Sequence, residues 1–337
     1  MTATATSYGL LDEDRQALAA VAANLLDSHP DDPRAGAREG WFSIAIGEDV
    51  GGAGGSFTDL AIIAEQAGAS LAATSMPWAT GVIAPILAAA GTSPTLTSLL
   101  GGELSIAVPI GDPTAVASQL VVRNDRWSGS FLAHGPADGL LAIPIRRRGT
   151  PALGLVSVGE SARVELVPSI DISRNLVRVT VTDADIEPLV NDATLFDRWR
   201  VRSCTIAALD AAGAARSALD RTLRYSLERR QFGRQIGSFQ AYKHQCSSAF
   251  IDLKLAQSLA FRAASEIDSD PAQALAAGLH ATSGAVSVCG KMIQLHGGIG
   301  FTWEAGMHRF LKRARFDEVL GHGGEATARA LLRQSGR

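Results

Sequence analysis

The sequence predicts an α+β chain ordered as helices, strands, then helices. Its expected parts are an N-terminal helical domain over 1–103, a middle β-barrel or sandwich over 104–192 and a C-terminal four-helix bundle over 193–337. Three observations lead there. The N-terminal third spaces its apolar residues helically between glycine-rich turns. The middle breaks into short Val-, Ile- and Leu-rich runs separated by Gly, Pro, Asp and Asn. The last part returns to helical spacing, with an alternating four-three seam.

Size and composition allow this plan. A chain of 337 residues, 46% apolar and 19% charged, suits two or three packed domains without a bias to disorder. A net charge of −3 gives no electrostatic case for nucleic acid or an anionic membrane as partner. No apolar run reaches the roughly 18 residues of a spanning helix, and the opening MTATATSYG lacks a signal-peptide core, so a cytoplasmic setting is expected. Cys204, Cys246 and Cys289 are far apart and outside any CxxC pair, which argues against a metal site or a disulfide framework.

In the first part, Leu10–Leu26 and Thr58–Ala69 carry helical periodicity. Between them, Gly51-Gly52-Ala53-Gly54-Gly55 does not spell GxGxxG and reads as a structural turn. The expected strands are Leu104–Ile110, Leu120–Arg123, Leu140–Ile145, Leu153–Val158, Val164–Val167 and Val177–Thr182, forming a small antiparallel domain. Arg146-Arg147-Arg148 beside Gly149 reads as a solvated turn. Leu275, Leu279, Thr282, Val286, Cys289 and Ile293 mark the seam of one long helix, with Cys289 in the core. Leu219, Leu223 and Leu227 mark a second helix, and Phe250, Leu253, Ala256 and Ala260 a third.

Two segments carry chemistry. Glu228–Gln240 (ERRQFGRQIGSFQ) breaks a helix with two glycines, interleaves arginines with aromatics and restarts at Ser238, a suitable N-cap. An arginine fork suits a diphosphate, and a phenylalanine offers a surface for a flat ring. Gln294–Glu304 (QLHGGIGFTWE) follows a long helix with glycines that let backbone approach a ligand, while Gln294 and His296 offer hydrogen bonds. Taken alone, each segment reads as well as a turn between helices.

Together they resemble the acyl-CoA dehydrogenase family. Arg230–Gln240 matches its R-x-F-G-x-x-I-x-x-F-Q turn, and Gln294–Glu304 its Q-x-x-G-G-x-G-(F/Y)-x-x-E. Arg309–Arg315 is similar to its R-x-x-R-D-A-R run, with Arg313 in place of the acid. Gly40–Gly54 resembles its N-terminal G-W-x-x-L-x-x-P-E-x-x-G-G-x-G. The resemblance implies FAD as cofactor, an acyl-CoA substrate and an electron-transfer acceptor as partner. In that chemistry a glutamate takes the pro-R α-proton while the β-hydride passes to the flavin, which sits between the β domain and the C-terminal bundle. It also implies that Arg230, Gln231 and Phe232, with Gln294, Gly297 and Gly298, reach the FAD of a neighbouring subunit.

The match fails where the chain's own active site is expected. The family's base slot falls on Gly321 counted one way and on His322 counted the other; the alternative slot falls on Ser203 and Cys204. None is a carboxylate, so no catalytic residue is recognisable, and Glu318, Glu325 and His322 are the substitutes in reach. The flavin-facing T-E-P-x-A-G-S-D stretch is reduced to Ala107–Thr114, and the later G-x-K-x-(F/W)-I-(T/S) stretch survives only as Gly129–Asp138. This asymmetry leads to the expectation of a non-catalytic chain paired with a paralogue in an α2β2 acyl-CoA dehydrogenase, and the resemblance to the short chains of actinobacterial heterotetramers of that kind implies a bulky steroid side-chain CoA as substrate. Two other readings stay open: a self-sufficient homotetramer with a relocated base, and a non-enzymatic acyl-CoA-binding scaffold on the same fold.

Overall fold

The computed structural model describes residues 13–29, 32 and 35–321. Helix α1 (Glu13–Ser28) covers the described part of the first periodic segment; Leu10–Asp12 lie outside the described residues. Helix α2 (Phe57–Ser70) starts at a reciprocal cap: the Asp59 carboxylate accepts from the Ser56 backbone N–H at 2.8 Å. The glycine loop before it is a turn whose N–H groups are used internally. Gly52 donates to the Gly47 carbonyl, Ala53 to Ser43 and Gly54 to Ile46, at 2.9 to 3.0 Å. Short helices α3 (Met76–Trp78), α4 (Ala84–Ala88) and α5 (Pro94–Leu100) follow, the last capped by Ser93.

The middle of the chain forms one eight-stranded sheet: β1 (Ile106–Pro109), β2 (Leu120–Arg123), β3 (Arg126–His134), β4 (Leu140–Arg147), β5 (Thr150–Ser157), β6 (Ala162–Val167), β7 (Leu176–Asp185) and β8 (Pro188–Asn191). Its order is β6-β7-β3-β1-β4-β5-β8, with β2 on β3, and helix α6 (Pro113–Ser118) bridges β1 and β2. All pairings are antiparallel except β1 with β4, which run parallel. That corrects the all-antiparallel expectation: β1 and β4 are joined through β2 and β3, a connection long enough to cross over. Strands β3 and β8 were not among the expected runs. The Arg146–Arg148 turn is a solvent-facing hairpin end in which Arg146 donates to the Gly149 carbonyl at 2.8 Å.

Helices α7 (Leu195–Glu228), α8 (Gln240–Ser265), α9 (Pro271–His296) and α10 (Met307–Leu320) form the C-terminal bundle. In α9 the seam residues Leu275, Thr282, Val286, Cys289 and Ile293 are buried, as the spacing predicts. The leucine series on α7 is not a seam: Leu219 is buried, but Leu223 and Leu227 are exposed. A strict four-residue step gains about 40° per repeat on a helix of 3.6 residues per turn, so it walks off the buried face. Phe250 on α8 is likewise exposed, while Leu253, Ala256 and Ala260 are buried.

Helices α2 and α7 cross at two glycines. A Cβ on Gly68 would lie 1.8 Å from the Asp210 carbonyl oxygen, and one on Gly213 would lie 1.8 Å from that of Glu65. Backbone therefore meets backbone in both directions, which no larger residue permits. Gly213→Ala is expected to cost about 1–3 kcal/mol by forcing the helices apart; urea unfolding of the variant against the natural chain measures it.

Candidate functional site

The bundle end where α7 and α9 finish carries both sequence motifs. After α7 the chain makes a two-residue hairpin, β9 (Arg230–Gln231) and β10 (Arg234–Gln235), paired as Arg234 with Gln231 and Gln235 with Arg230. Phe232 (φ 52°) and Gly233 (φ 80°) form its tip, the left-handed pair a tight hairpin requires. An aromatic residue rarely takes that conformation, and here its ring is 92% exposed. The turn is braced internally. Arg230 donates to the Gly233 carbonyl at 3.1 Å, Gln235 to the Leu227 carbonyl at 2.5 Å, and the Arg234 guanidinium lies 4.0 Å over the Phe239 ring. Ser238 is not the N-cap: α8 begins at Gln240 behind Phe239, and the Ser238 hydroxyl donates to the Gln235 carbonyl at 2.6 Å.

Gln294 is exposed on the last turn of α9, and Gly297 and Gly298 are exposed just beyond it. Gly297 sits at φ 65°, ψ −147°, a region open essentially to glycine alone. His296 faces inward instead of toward a ligand. Its ring is stacked on Tyr225 of α7 at 4.6 Å, and its Nδ1 lies 2.9 Å from the Met292 carbonyl and 3.4 Å from the Thr222 hydroxyl. Burial, only partly offset by the Met292 carbonyl, lowers its pKa and keeps the ring neutral. This stack joins the ends of α7 and α9, so the hairpin and the glycine loop leave the bundle side by side. Leu227, Phe301 and Trp303 are also exposed on these segments.

The other functional region is the seam between the sheet and the bundle, and apart from Arg313 it holds side chains the sequence did not single out. Arg313 of α10 donates to Asp210 of α7 through two nitrogens, at 2.7 and 2.9 Å, and to the Ala72 carbonyl and the Ser173 hydroxyl at 3.0 Å. Arg174, on the loop between β6 and β7, pairs with Asp210 at 2.8 Å and with Asp317 of α10. The side chains of Arg174, Arg313, Asp210 and Asp317 are all fully buried. Asp171 accepts from the Ser173 hydroxyl at 2.6 Å and lies 3.7 Å from Arg313. Despite its burial, Asp210 is held down to about 2 by the two guanidiniums, whereas burial drives Asp317 well above the usual carboxylate range. With Asp317 protonated, two guanidiniums face two carboxylates and the cluster is neutral. The sequence signal for it was Arg313, a base where the family's R-D-A-R run has an acid.

His134, at the end of β3, touches the same cluster. Its ring is edge-on to Trp78 at 5.3 Å and to Phe316 at 6.4 Å, and its Nδ1 faces the Asn175 carbonyl at 3.3 Å. Ala133 beside it stands at the hydroxyl position of the G-x-K-x-(F/W)-I-(T/S) stretch and is completely buried.

Among the candidate bases, His322 and Glu325 lie outside the described residues. Glu318 is half-buried and pairs with Arg315 at 2.7 Å, one turn earlier on α10. It lines a cavity of about 340 Å³ with Cys204, Leu279, Thr282, Ser283, Val319 and Gly321. On its side away from the cavity Gly321 packs closely: a Cβ there would lie 3.0 Å from that of Ala207. Ser203 is buried, and burial pushes the Cys204 thiol up to about 12, so neither supplies a base near neutral pH.

The acyl-CoA dehydrogenase C-terminal domain family matches residues 202–335, and the corresponding N-terminal domain family matches 16–98. Acyl-CoA dehydrogenase FadE34 of Mycobacterium tuberculosis is 34% identical over 287 residues, covering 82% of this chain but only 38% of its own length. Acyl-CoA dehydrogenase IpdE2 of the same organism is 30% identical over 276 residues, covering 82% of this chain and 77% of its own. Among solved structures, the Tcur3481-Tcur3483 steroid ACAD matches with a TM-score of 0.82 and 24% identity over 96% of this chain and 98% of that one. The ChsE4-ChsE5 complex of M. tuberculosis matches with a TM-score of 0.80 and 21% identity over 97% of each chain. These two share the fold. On the domain matches and the IpdE2 likeness, the chain belongs to the acyl-CoA dehydrogenase family, flavoproteins that use FAD and oxidise acyl-CoA thioesters. No described helix is long and apolar enough to cross a membrane.

The pKa of His134 sits at about 3, lowered by burial first and then by the charges of Arg174 and Arg313. An unfolded chain takes up that proton near pH 6.5 while the folded one refuses it. Stability is therefore fully present above about pH 6.5 and falls as pH drops toward 3, by up to ~1.4 kcal/mol per unit. His134→Gln is expected to flatten this slope by about one proton between roughly pH 5 and 6.5; urea midpoints across that range test it.

Proposed function

We propose that this chain is the base-lacking subunit of a heteromeric, FAD-dependent acyl-CoA dehydrogenase, paired with a paralogous chain in an α2β2 assembly. The observation that carries the reading is an asymmetry between two regions. Arg230, Gln231, Phe232, Gln294, Gly297 and Gly298 are intact and face outward, whereas the slot of the family's glutamate falls on Gly321 by one count and on His322 by the other, neither of them a carboxylate. The Arg230 fork suits a diphosphate, the Phe232 ring suits a flat aromatic system, and the bare backbone at Gly297 and Gly298 permits close approach. FAD, when bound, accepts the hydride from the thioester's β-carbon; this chain's residues bind and orient it from across the interface. The paralogue supplies the base that removes the α-proton.

Similarity to a steroid ACAD and to a two-chain complex supports a steroid side-chain CoA as substrate and a paralogue as partner. A cytoplasmic location and an electron-transfer flavoprotein as acceptor complete the reading.

A second reading is favoured by Glu318, which lines the cavity beside Gly321. In it, a homotetramer uses Glu318 as a relocated base, and Glu318→Gln abolishes turnover by the chain purified alone. Undiminished turnover in that variant removes Glu318 from consideration.

Co-expression with a base-bearing paralogue is expected to give a yellow complex active on an acyl-CoA, while this chain alone is inactive. Arg230→Ala is expected to lower flavin retention by that complex roughly tenfold or more, since a charge-assisted hydrogen bond contributes about 1.5–3 kcal/mol. Flavin absorbance after gel filtration measures this, and full retention would remove Arg230 from the site.

A further inference from the structure

We propose that this chain holds no flavin ring of its own, because the seam between its sheet and its helical bundle is filled by a cluster of its own charged and aromatic side chains built around Arg174. The inference rests on the reading above, which places the FAD used by the assembly in the paralogue's half, with this chain contributing from outside.

The family implies a flat, neutral, hydrogen-bonding ring in this seam, and the residues present do not fit one. The guanidinium of Arg174 is itself a planar group, and it occupies the aromatic surfaces available there, 4.8 Å over the Trp78 ring and 5.6 Å over the Phe316 ring. Its charge is bound from the far side by Asp210 and Asp317. His134 closes the remaining edge against both aromatic rings. Trp78, His134, Arg174, Asp210, Arg313, Phe316 and Asp317 are each less than a tenth exposed, so no ring face is open to a ligand.

Chemistry points the same way as space. A ring entering here must displace Arg174 from Asp210 and Asp317, leaving Asp210 with Arg313 alone in a fully buried site and the displaced guanidinium without its partners, a costly way to open a buried ion pair. In return it finds Ala133 where the family's motif offers a hydroxyl, so a hydrogen bond to the ring is lost as well. The cluster is also anchored on three sides. Arg313 holds the Ala72 carbonyl from the N-terminal helices, Ser173 from the β6–β7 loop and Asp210 from α7. The plug is therefore part of the packing that joins the three regions, and is not a side chain resting in an otherwise open site.

Two measurements test this. In the complex with a flavin-bearing paralogue, flavin absorbance against protein mass is expected to give one flavin per pair of chains; two per pair overturns the proposal. The natural chain alone, shown to be folded by circular dichroism and titrated with FAD while flavin fluorescence is followed, is expected to give no saturable binding. Stoichiometric binding there overturns the proposal whatever the assembly. Ala133→Thr, which restores the motif hydroxyl, is expected to leave both results unchanged; a gain of one flavin per chain in that variant means that the seam was open and lacked only a hydrogen bond. Failure to form any complex with a paralogue counts against the proposed function alone, and the lone-chain titration still decides whether the seam is closed.

Discussion

The two-pronged contact between the Arg313 guanidinium and the Asp210 carboxylate joins α10 to α7 across 103 residues of sequence. Removing either charge from water is costly, and the mutual attraction repays it only when geometry and further hydrogen bonds are good. Here both conditions hold: the contact is bidentate, and the remaining nitrogen of Arg313, Nη1, donates to a backbone carbonyl and a serine hydroxyl. Arg174 and Asp317 extend the pair into a cluster whose charges balance once Asp317 holds a proton. Through it, the sheet's β6–β7 loop, the N-terminal helices and the bundle share one fixed relation.

The molecule is thus unequal at its two functional regions. Its seam is packed and buried, its charges paired although the Nε of Arg174, the Nε2 of His134 and one oxygen of Asp317 make no hydrogen bond. Its bundle end is open, with an aromatic ring in a disfavoured backbone conformation and a glycine loop with no side chains over it. Rigidity serves the open end: Tyr225 on His296, Arg234 on Phe239 and Gln235 on the Leu227 carbonyl hold the presented groups without covering them. A hairpin fixed before it meets a ligand loses less conformational freedom on binding.

Much of this was legible in the sequence. Helical periodicity marked α2 and α9, and β2 was read at its true bounds because Leu120–Arg123 is a short apolar run with clear punctuation. Strand β3 escaped notice because Arg126–His134 alternates its large buried residues, Trp127 and Phe131, with Ser and Gly and so never forms an apolar run. The parallel pairing of β1 with β4 has no local signature, since it depends on where the chain returns. The motif residues were legible as types, but the inward turn of His296 was not, because it follows from the stack on Tyr225. The seam cluster was hidden for a stronger reason: Asp210, Arg174 and Asp317 belong to no motif, Arg313 was legible only as a departure from the family's run, and only folding takes them from water together.

The glycine crossing between α2 and α7 reaches further than its own packing. From Gly213 to the end of α7 at Glu228 is 15 residues, or roughly 22 Å at 1.5 Å per residue. The crossing is a fulcrum, and the hairpin rides at the end of the lever. Tilting α7 by only about 3° about that point would swing Phe232 sideways by about 1 Å. Aim at the bundle end is therefore set in the interior, by two residues that have no side chain at all.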